Sequence, residues 1–275
     1  MNQKFNNYVS SLQGEQCVWP AYYIEQDRNY LGILPNSKKA KILEFGPGKG
    51  YFTDWLVCNG YENITLVELD ENNCKFLSHK YRNFENIKVI YGDMVSYLKD
   101  CSQTFSVIIS KQVIEHIPVA DVADVFENGK NLLSEDGVVV HETINAANII
   151  YGNYYRYNDF SHTISYTEKS LKEFSNLNAT VRNYYQGSLF GLVKSHVSKK
   201  ESKIISKFSE KLQVNNTINK NHATNDSSNL FISFIFQFKL RIKWTLSRLL
   251  TRLFLGHLTK VSTHFLIVEL RKESN

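Results

Sequence analysis

The chain has 275 residues, 43% of them apolar, 13% aromatic and 21% charged, with a formal net charge of +5. That composition excludes whole-chain disorder, and 13 Gly with only 4 Pro exclude collagenous and Pro-rich classes. The charge is uneven: from Lys194 to Lys260, 13 Lys/Arg face three acids, Glu201, Glu210 and Asp226, a local +10 that leaves the remainder at −5.

Four cysteines, Cys17, Cys58, Cys74 and Cys101, lie far apart with no C-x-x-C pair. This spacing predicts neither a zinc site nor a disulfide framework, and it suits a reducing, cytoplasmic setting. No metal site is expected. The opening MNQKFNNYVSSLQ lacks an apolar h-region, so no secretory signal is expected. No run of about 20 apolar residues occurs either. The richest window, from Leu230, is interrupted by Gln237, Lys239, Arg241 and Lys243.

Between Lys41 and Thr143, short β-branched runs alternate with amphipathic stretches, which predicts βαβ units and a mostly parallel sheet. A first strand, Lys41 to Phe45, runs into Gly46-Pro47-Gly48-Lys49-Gly50. A helix follows in which Phe52, Trp55 and Leu56 recur at helical spacing. Next come a strand from Asn63 to Glu68, a helix through Cys74, Leu77 and His79, and a strand from Ile87 to Tyr91. A strand from Phe105 to Ser110, a helix from Val119 to Leu133, a turn at Glu135-Asp136-Gly137 and a strand from Val138 to Thr143 complete the pattern. Five strands in this order predict an α/β, doubly wound sheet. Beyond them lie an aromatic stretch from Tyr151 to Phe160, a helix after Thr167, a strand candidate from Thr180 to Tyr185 and a last strand from His264 to Leu270. An Asn/Thr/Ser-rich stretch from Asn215 to Asn229 reads as a loop.

The glycine turn is the strongest feature. Glycines 46, 48 and 50 let the backbone turn sharply and let a ligand approach main-chain N–H groups. Tyr51 stands where a dinucleotide fingerprint needs glycine, and the P-loop pattern is absent. Glu44, two residues upstream, suits a cationic ligand better than a pyrophosphate. Glu68 ends the next strand, where an ionised acid can accept both hydroxyls of a ribose. Asp93, after the third strand, can accept from an adenine amino group, with Leu69 and Met94 sandwiching the ring. Three acids and a glycine turn at successive strand ends define a nucleoside-like site at the carboxyl edge of the sheet.

On these residues the chain resembles the class I S-adenosylmethionine-dependent methyltransferases, over roughly Lys41 to Tyr185 and again at the final strand. ILEFGPGKG matches that family's first motif, LVELD its ribose-binding acid and YGDM its adenine-contacting acid. VIEHIP (Val113 to Pro118) matches the EH motif of its small-molecule members. The resemblance implies S-adenosylmethionine as cofactor, held by Glu44, Gly46, Gly48, Gly50, Glu68, Leu69, Asp93, Met94 and Lys111. It implies a seven-stranded Rossmann-like methyltransferase sheet and one domain. Residues 1–40 are read as an N-terminal helical extension, 41–185 as the core, 186–262 as a basic helical insertion and 263–272 as the last strand. Ser106 departs from the family, which usually has an acid after the aromatic residue opening its fourth strand.

Two acceptors compete. GPGKGYFTDWL, VELDENN and IKVIYGD resemble the ribosomal RNA adenine dimethylases, and a basic segment suits RNA. Those enzymes carry N-x-P-Y after the fourth strand, whereas Ser110 to His116 reads SKQVIEH, so a nucleic-acid partner is not expected. NDFSHTISYTEKSL instead resembles a stretch of methyltransferases associated with bacterial polysaccharide and glycolipid biosynthesis. Its matching residues are Asp159, His162, Tyr166, Thr167, Ser170 and Leu171, with Ser161 in place of the usual Thr. This favours a small-molecule or glycan acceptor, with a sugar hydroxyl deprotonated by His162 and positioned by Asp159. Glu115 and His116 join it as catalytic candidates; for all three, a packing or capping role is the alternative. Tyr151, Tyr154, Tyr155 and Tyr157 suggest either an aromatic wall for a sugar or a helix face packed on the core, and Arg156 an anion contact. In the insertion, Ile242, Leu246, Leu249, Leu250 and Leu253 share a helical stripe opposite Arg241, Arg248 and Arg252. Residues 231–256 therefore suit peripheral contact with an anionic membrane at its inner face, or packing on their own domain. A non-catalytic scaffold or sensor that binds S-adenosylmethionine is the remaining alternative.

Overall fold

The computed structural model describes residues 20–148, 151–175, 180–184 and 265–271. The insertion at 186–262, its amphipathic stretch at 231–256 and most of the N-terminal extension lie outside the described residues. The elements are α1 (Pro20–Tyr30), β1 (Ile42–Phe45), α2 (Tyr51–Cys58), β2 (Ile64–Glu68), α3 (Glu71–Lys80), β3 (Ile87–Tyr91), α4 (Met94–Asp100) and β4 (Phe105–Lys111). A 3-10 turn (Ile114–His116) follows, then α5 (Val119–Asn131), β5 (Leu133–Ile144), α6 (Tyr151–Asn158), α7 (Glu168–Ser175), β6 (Thr180–Tyr184) and β7 (Phe265–Arg271).

One seven-stranded sheet runs in the order β3-β2-β1-β4-β5-β7-β6. β1 to β5 pair in parallel, and β7 is antiparallel to both β5 and β6. The strand order reverses between β1 and β4, the switch point at which such sheets hold ligands beyond their carboxyl ends.

Strand alternation divides the core between the two faces of the sheet. Ile42, Ile64, Leu66, Val107, Ile109, Val138 and Val140 pack with Tyr30 of α1 and with Phe52, Trp55 and Leu56 of α2. Leu43, Phe45, Val67, Ile108 and Val139 pack on the opposite face with Met94 and Leu98 of α4, Val125 and Phe126 of α5 and Leu171 of α7. In α5, Val122, Val125, Phe126 and Gly129 are buried, the i, i+3, i+4, i+7 stripe of a helix lying on a sheet.

Helix starts follow side-chain chemistry. Asp70 accepts from the Asn73 N–H at 2.8 Å to cap α3. At the head of α7, Thr167 and Ser170 bond reciprocally, main-chain nitrogen to hydroxyl, at 2.8 and 3.2 Å. Two details differ from the sequence expectation. The short helix α4 was not foreseen, and β5 begins at Leu133, before the expected turn, with Asp136 at φ 58° inside the strand.

Candidate functional site

The glycine turn leaves β1 at the switch point. Gly46, Gly48 and Gly50 take φ values of 62°, 57° and 76°, a region that side-chain-bearing residues rarely occupy. A Cβ at Gly46 would lie 2.5 Å from Val113 Cγ2, and one at Gly50 would lie 2.5 Å from the Tyr81 hydroxyl. The turn is held from the end of α3: the Tyr81 hydroxyl, with its single proton, lies within hydrogen-bond distance of Gly50 O at 2.9 Å and of Asp54 at 2.6 Å. Lys80 reaches Lys49 O at 2.9 Å and Asp54 at 2.6 Å. Burial pushes the Asp54 carboxyl up, and Lys80 and Tyr81 oppose that.

Glu68, at the end of β2 and buried, takes one hydrogen bond on each carboxylate oxygen, from the main-chain nitrogens of Gly48 and Asp70, both at 2.9 Å. Burial raises its pKa while these two N–H groups lower it. Leu69, next along, is half-buried. Asp93 is the N-cap of α4 and accepts from the Ser96 N–H at 2.9 Å. Burial alone would raise the Asp93 carboxyl, but hydrogen bonds led by that from Ser96 hold it below the ordinary range. Met94 is buried in the core beneath it.

Glu44 lies on the face covered by α1 and α2, accepts from the Thr53 hydroxyl at 2.7 Å, and is pushed up to about 7 by burial. Lys111 ends β4 on the same face and is engaged from three sides. Its ammonium donates to Gln26 Oε1 at 2.6 Å, pairs with Glu142 at 3.1 Å and lies 4.7 Å from the centre of the Tyr30 ring. The Tyr30 hydroxyl donates to the same Glu142 oxygen. Glu142, Tyr30 and Gln26 were missed in the sequence; an acid ending the apolar run of β5 was the available signal for Glu142.

On the other face, the loop after β4 turns through Gln112, a non-glycine residue at φ 55°. An observed strained position of this kind beside a site is a pointer to function. The 3-10 turn then places Glu115 in the interior, where burial raises its pKa to about 8. Its Oε2 accepts from Thr143 at 3.0 Å. The His116 and His162 rings lie 4.6 Å apart. Ser161 bonds His116 Nδ1 at 2.8 Å and donates to Asp159 at 2.5 Å, and Asp159 stands 3.9 Å from His162 Nε2. Burial, reinforced by His162, lowers His116 to about 4. The sequence-assigned Glu115, His116 and His162 are therefore one cluster, tied together by Asp159 and Ser161. Tyr166 is buried and donates to Ile114 O at 3.1 Å. In the aromatic stretch, Tyr154 and Tyr157 are 59% and 79% exposed and so do not pack on the core, and Arg156 lies over Tyr157 with its guanidinium 3.4 Å from Thr163 O.

A family model described as a methyltransferase domain matches residues 20–179, more than half of the chain, and the chain belongs to that family. An rRNA adenine N-6-methyltransferase from Lysinibacillus sphaericus is 29% identical over 93 residues, 33% of this chain and 36% of that protein. Ribosomal RNA small subunit methyltransferase A from Coxiella burnetii (strain RSA 331 / Henzerling II) is 35% identical over 60 residues, 22% and 23% of the two chains. The chain thus spans about a third or less of these curated relatives' lengths. A solved SAM-dependent methyltransferase from Archaeoglobus fulgidus superposes with a TM-score of 0.57 at 13% identity, over 98% of this chain and 100% of that one. The domain accordingly belongs to a methyltransferase family and has the fold of S-adenosylmethionine-dependent methyltransferases. Among the described residues, no helix is long and apolar enough to cross a membrane.

Proposed function

We propose that the protein transfers a methyl group from S-adenosylmethionine to a hydroxyl of a small-molecule acceptor, a sugar or glycolipid intermediate. The observation that carries this reading is the approach of Val113 to Gly46. The 3-10 turn bearing Glu115 and His116 begins next to Val113, which supports reading the glycine turn and the Glu115–His116–His162 cluster as neighbouring donor site and proton acceptor.

The donor site fits the cofactor on its own chemistry. Bare main chain at Gly46, Gly48 and Gly50 allows close approach, and Glu68 keeps acceptor capacity beyond its two main-chain partners, since an ionised carboxylate offers about four lone-pair sites. In this reading Glu68 receives the ribose hydroxyls and Glu44 faces the cationic end. Asp93, Leu69 and Met94 border the adenine, and Lys111 fixes β4 and β5 beneath α1. The bound cofactor supplies an electrophilic methyl on sulfur. The chain supplies orientation and a proton acceptor, His162, steered by Asp159. The arrangement forms one domain, and residues 231–256 of its insertion are the proposed contact with an anionic membrane surface.

A second reading, methylation of an RNA adenine, is favoured by the names of the curated relatives. Incubation with labelled S-adenosylmethionine separates the two. Label in a sugar or glycolipid hydroxyl is expected. Label in ribosomal RNA alone establishes the second reading, and cofactor binding with no transfer to either class leaves the sensor reading.

A further inference from the structure

The Glu115, His116 and His162 side chains each bring one ligand-type atom to within 4.8 Å of the others, with two of the three residues buried and His116 half-buried. Two independent features of the cluster point to a cation. Among the described residues, Glu115 Oε1 is buried and has no hydrogen-bond partner, while Oε2 already has Thr143. Leaving a buried carboxylate oxygen unsatisfied costs free energy, which a bound cation would remove.

The second feature is the hydrogen-bond polarity around His116. The Ser161 hydroxyl has one proton and gives it to Asp159 Oδ1 at 2.5 Å, so towards His116 Nδ1, at 2.8 Å, it acts as acceptor. His116 therefore carries its proton on Nδ1 and leaves Nε2 with a bare lone pair. Orientation of an imidazole through its far nitrogen, backed by a carboxylate, is how proteins present histidine to metals.

We propose that Glu115, His116 and His162 form a binding site for one first-row divalent metal ion of the zinc type. The ligands are one carboxylate oxygen and two imidazole nitrogens, with Asp159 and Ser161 orienting the rings. Two nitrogen donors disfavour magnesium and calcium, which take oxygen sets. Three protein ligands leave a coordination position open. With the ion bound, an acceptor hydroxyl placed there would lose its proton to solvent water more readily, and His162 would serve as a ligand in place of the proton acceptor assigned to it above. That use rests on the methyl-transfer reading; the ion site does not.

The test uses the full chain, stripped with chelator and titrated with zinc chloride by calorimetry and with cobalt(II) by visible absorption. One equivalent is expected to saturate the protein, and cobalt should show ligand-field bands without a thiolate-to-cobalt charge-transfer band. Glu115→Gln and His162→Asn, each checked for native circular dichroism, should weaken binding by roughly tenfold or more. X-ray absorption on the zinc-loaded intact protein should show a nitrogen/oxygen shell with imidazole scattering, a result that depends on no variant. Absence of saturable binding, a sulfur-containing shell, or undiminished affinity in both folded variants overturns the site. Zinc binding without S-adenosylmethionine binding would leave the ion site standing and remove the methyl-transfer reading.

Discussion

Glu68 Oε2 accepts a hydrogen bond from the main-chain nitrogen of Gly48, 2.9 Å away. The end of β2 is thereby fastened to the turn that leaves β1. Because the other oxygen of Glu68 holds the Asp70 N–H, this single buried acid organises two successive strand ends and faces the proposed donor with its remaining lone pairs.

Gly50→Ala should abolish high-affinity cofactor binding. The new methyl would sit 2.5 Å from the Tyr81 hydroxyl at a φ of 76°, and left-handed strain at a non-glycine residue costs about 1–3 kcal/mol. Calorimetry should show S-adenosylmethionine affinity reduced by about tenfold or more; unchanged affinity would remove the turn from the donor site.

Tyr30→Phe removes the donor to Glu142 and tests whether α1 is pinned to β5 by that bond. Both residues are buried, and a hydrogen bond to a charged group contributes about 1.5–3 kcal/mol. Chemical denaturation should show a loss in that range, with Lys111 still paired to Glu142.

His162→Asn and Glu68→Ala should separate chemistry from binding. The first is expected to lower kcat by about 10²–10⁴-fold while S-adenosylmethionine affinity stays within a factor of about two. The second should weaken affinity severely. A His162 variant with undiminished turnover would reduce that residue to a packing role.

His141 gives a pH signature. Burial lowers its pKa from 6.5 to about 3, and its ring bonds Ser110 at 2.8 Å. The unfolded chain takes up a proton below pH 6.5 that the native chain refuses until about 3, so stability falls as pH drops through that window. Acid unfolding of His141→Gln should have a shallower pH dependence across the same range than the parent. Equal slopes would place the acid sensitivity elsewhere.

The strand ends that carry the proposed donor residues were legible because their pattern is local: the glycines, Glu44, Glu68 and Asp93 each lie at or beside the end of a strand, and alternation of apolar strands with helical stripes fixed their order. Asp93 shows the limit of that reading, since the same residue caps α4, a helix of seven residues too short to display a period. The contacts around Lys111 were illegible for a different reason. Tyr30 and Glu142 are 112 positions apart, and Gln26 and Lys111 are 85 apart; only the packing of α1 over the sheet brings them together. The Glu115–His116–His162 cluster lay between these cases. The Glu115–His116 pair and the Asp159–His162 pair were each read from the sequence, but joining them through Ser161 needs the loop after α6 to fold back on the 3-10 turn, where Thr163 donates its main-chain N–H to Glu115 O at 2.8 Å. The exposed Tyr154 and Tyr157 show that dense aromatics in a helix need not pack on the core.

The most direct measurement is titration of the intact protein with S-adenosylmethionine by calorimetry, beside Glu68→Ala under identical conditions. The account predicts saturable one-to-one binding by the parent and a severe loss in the variant whose circular dichroism remains native. No binding by the parent, or equal binding by both, would contradict it.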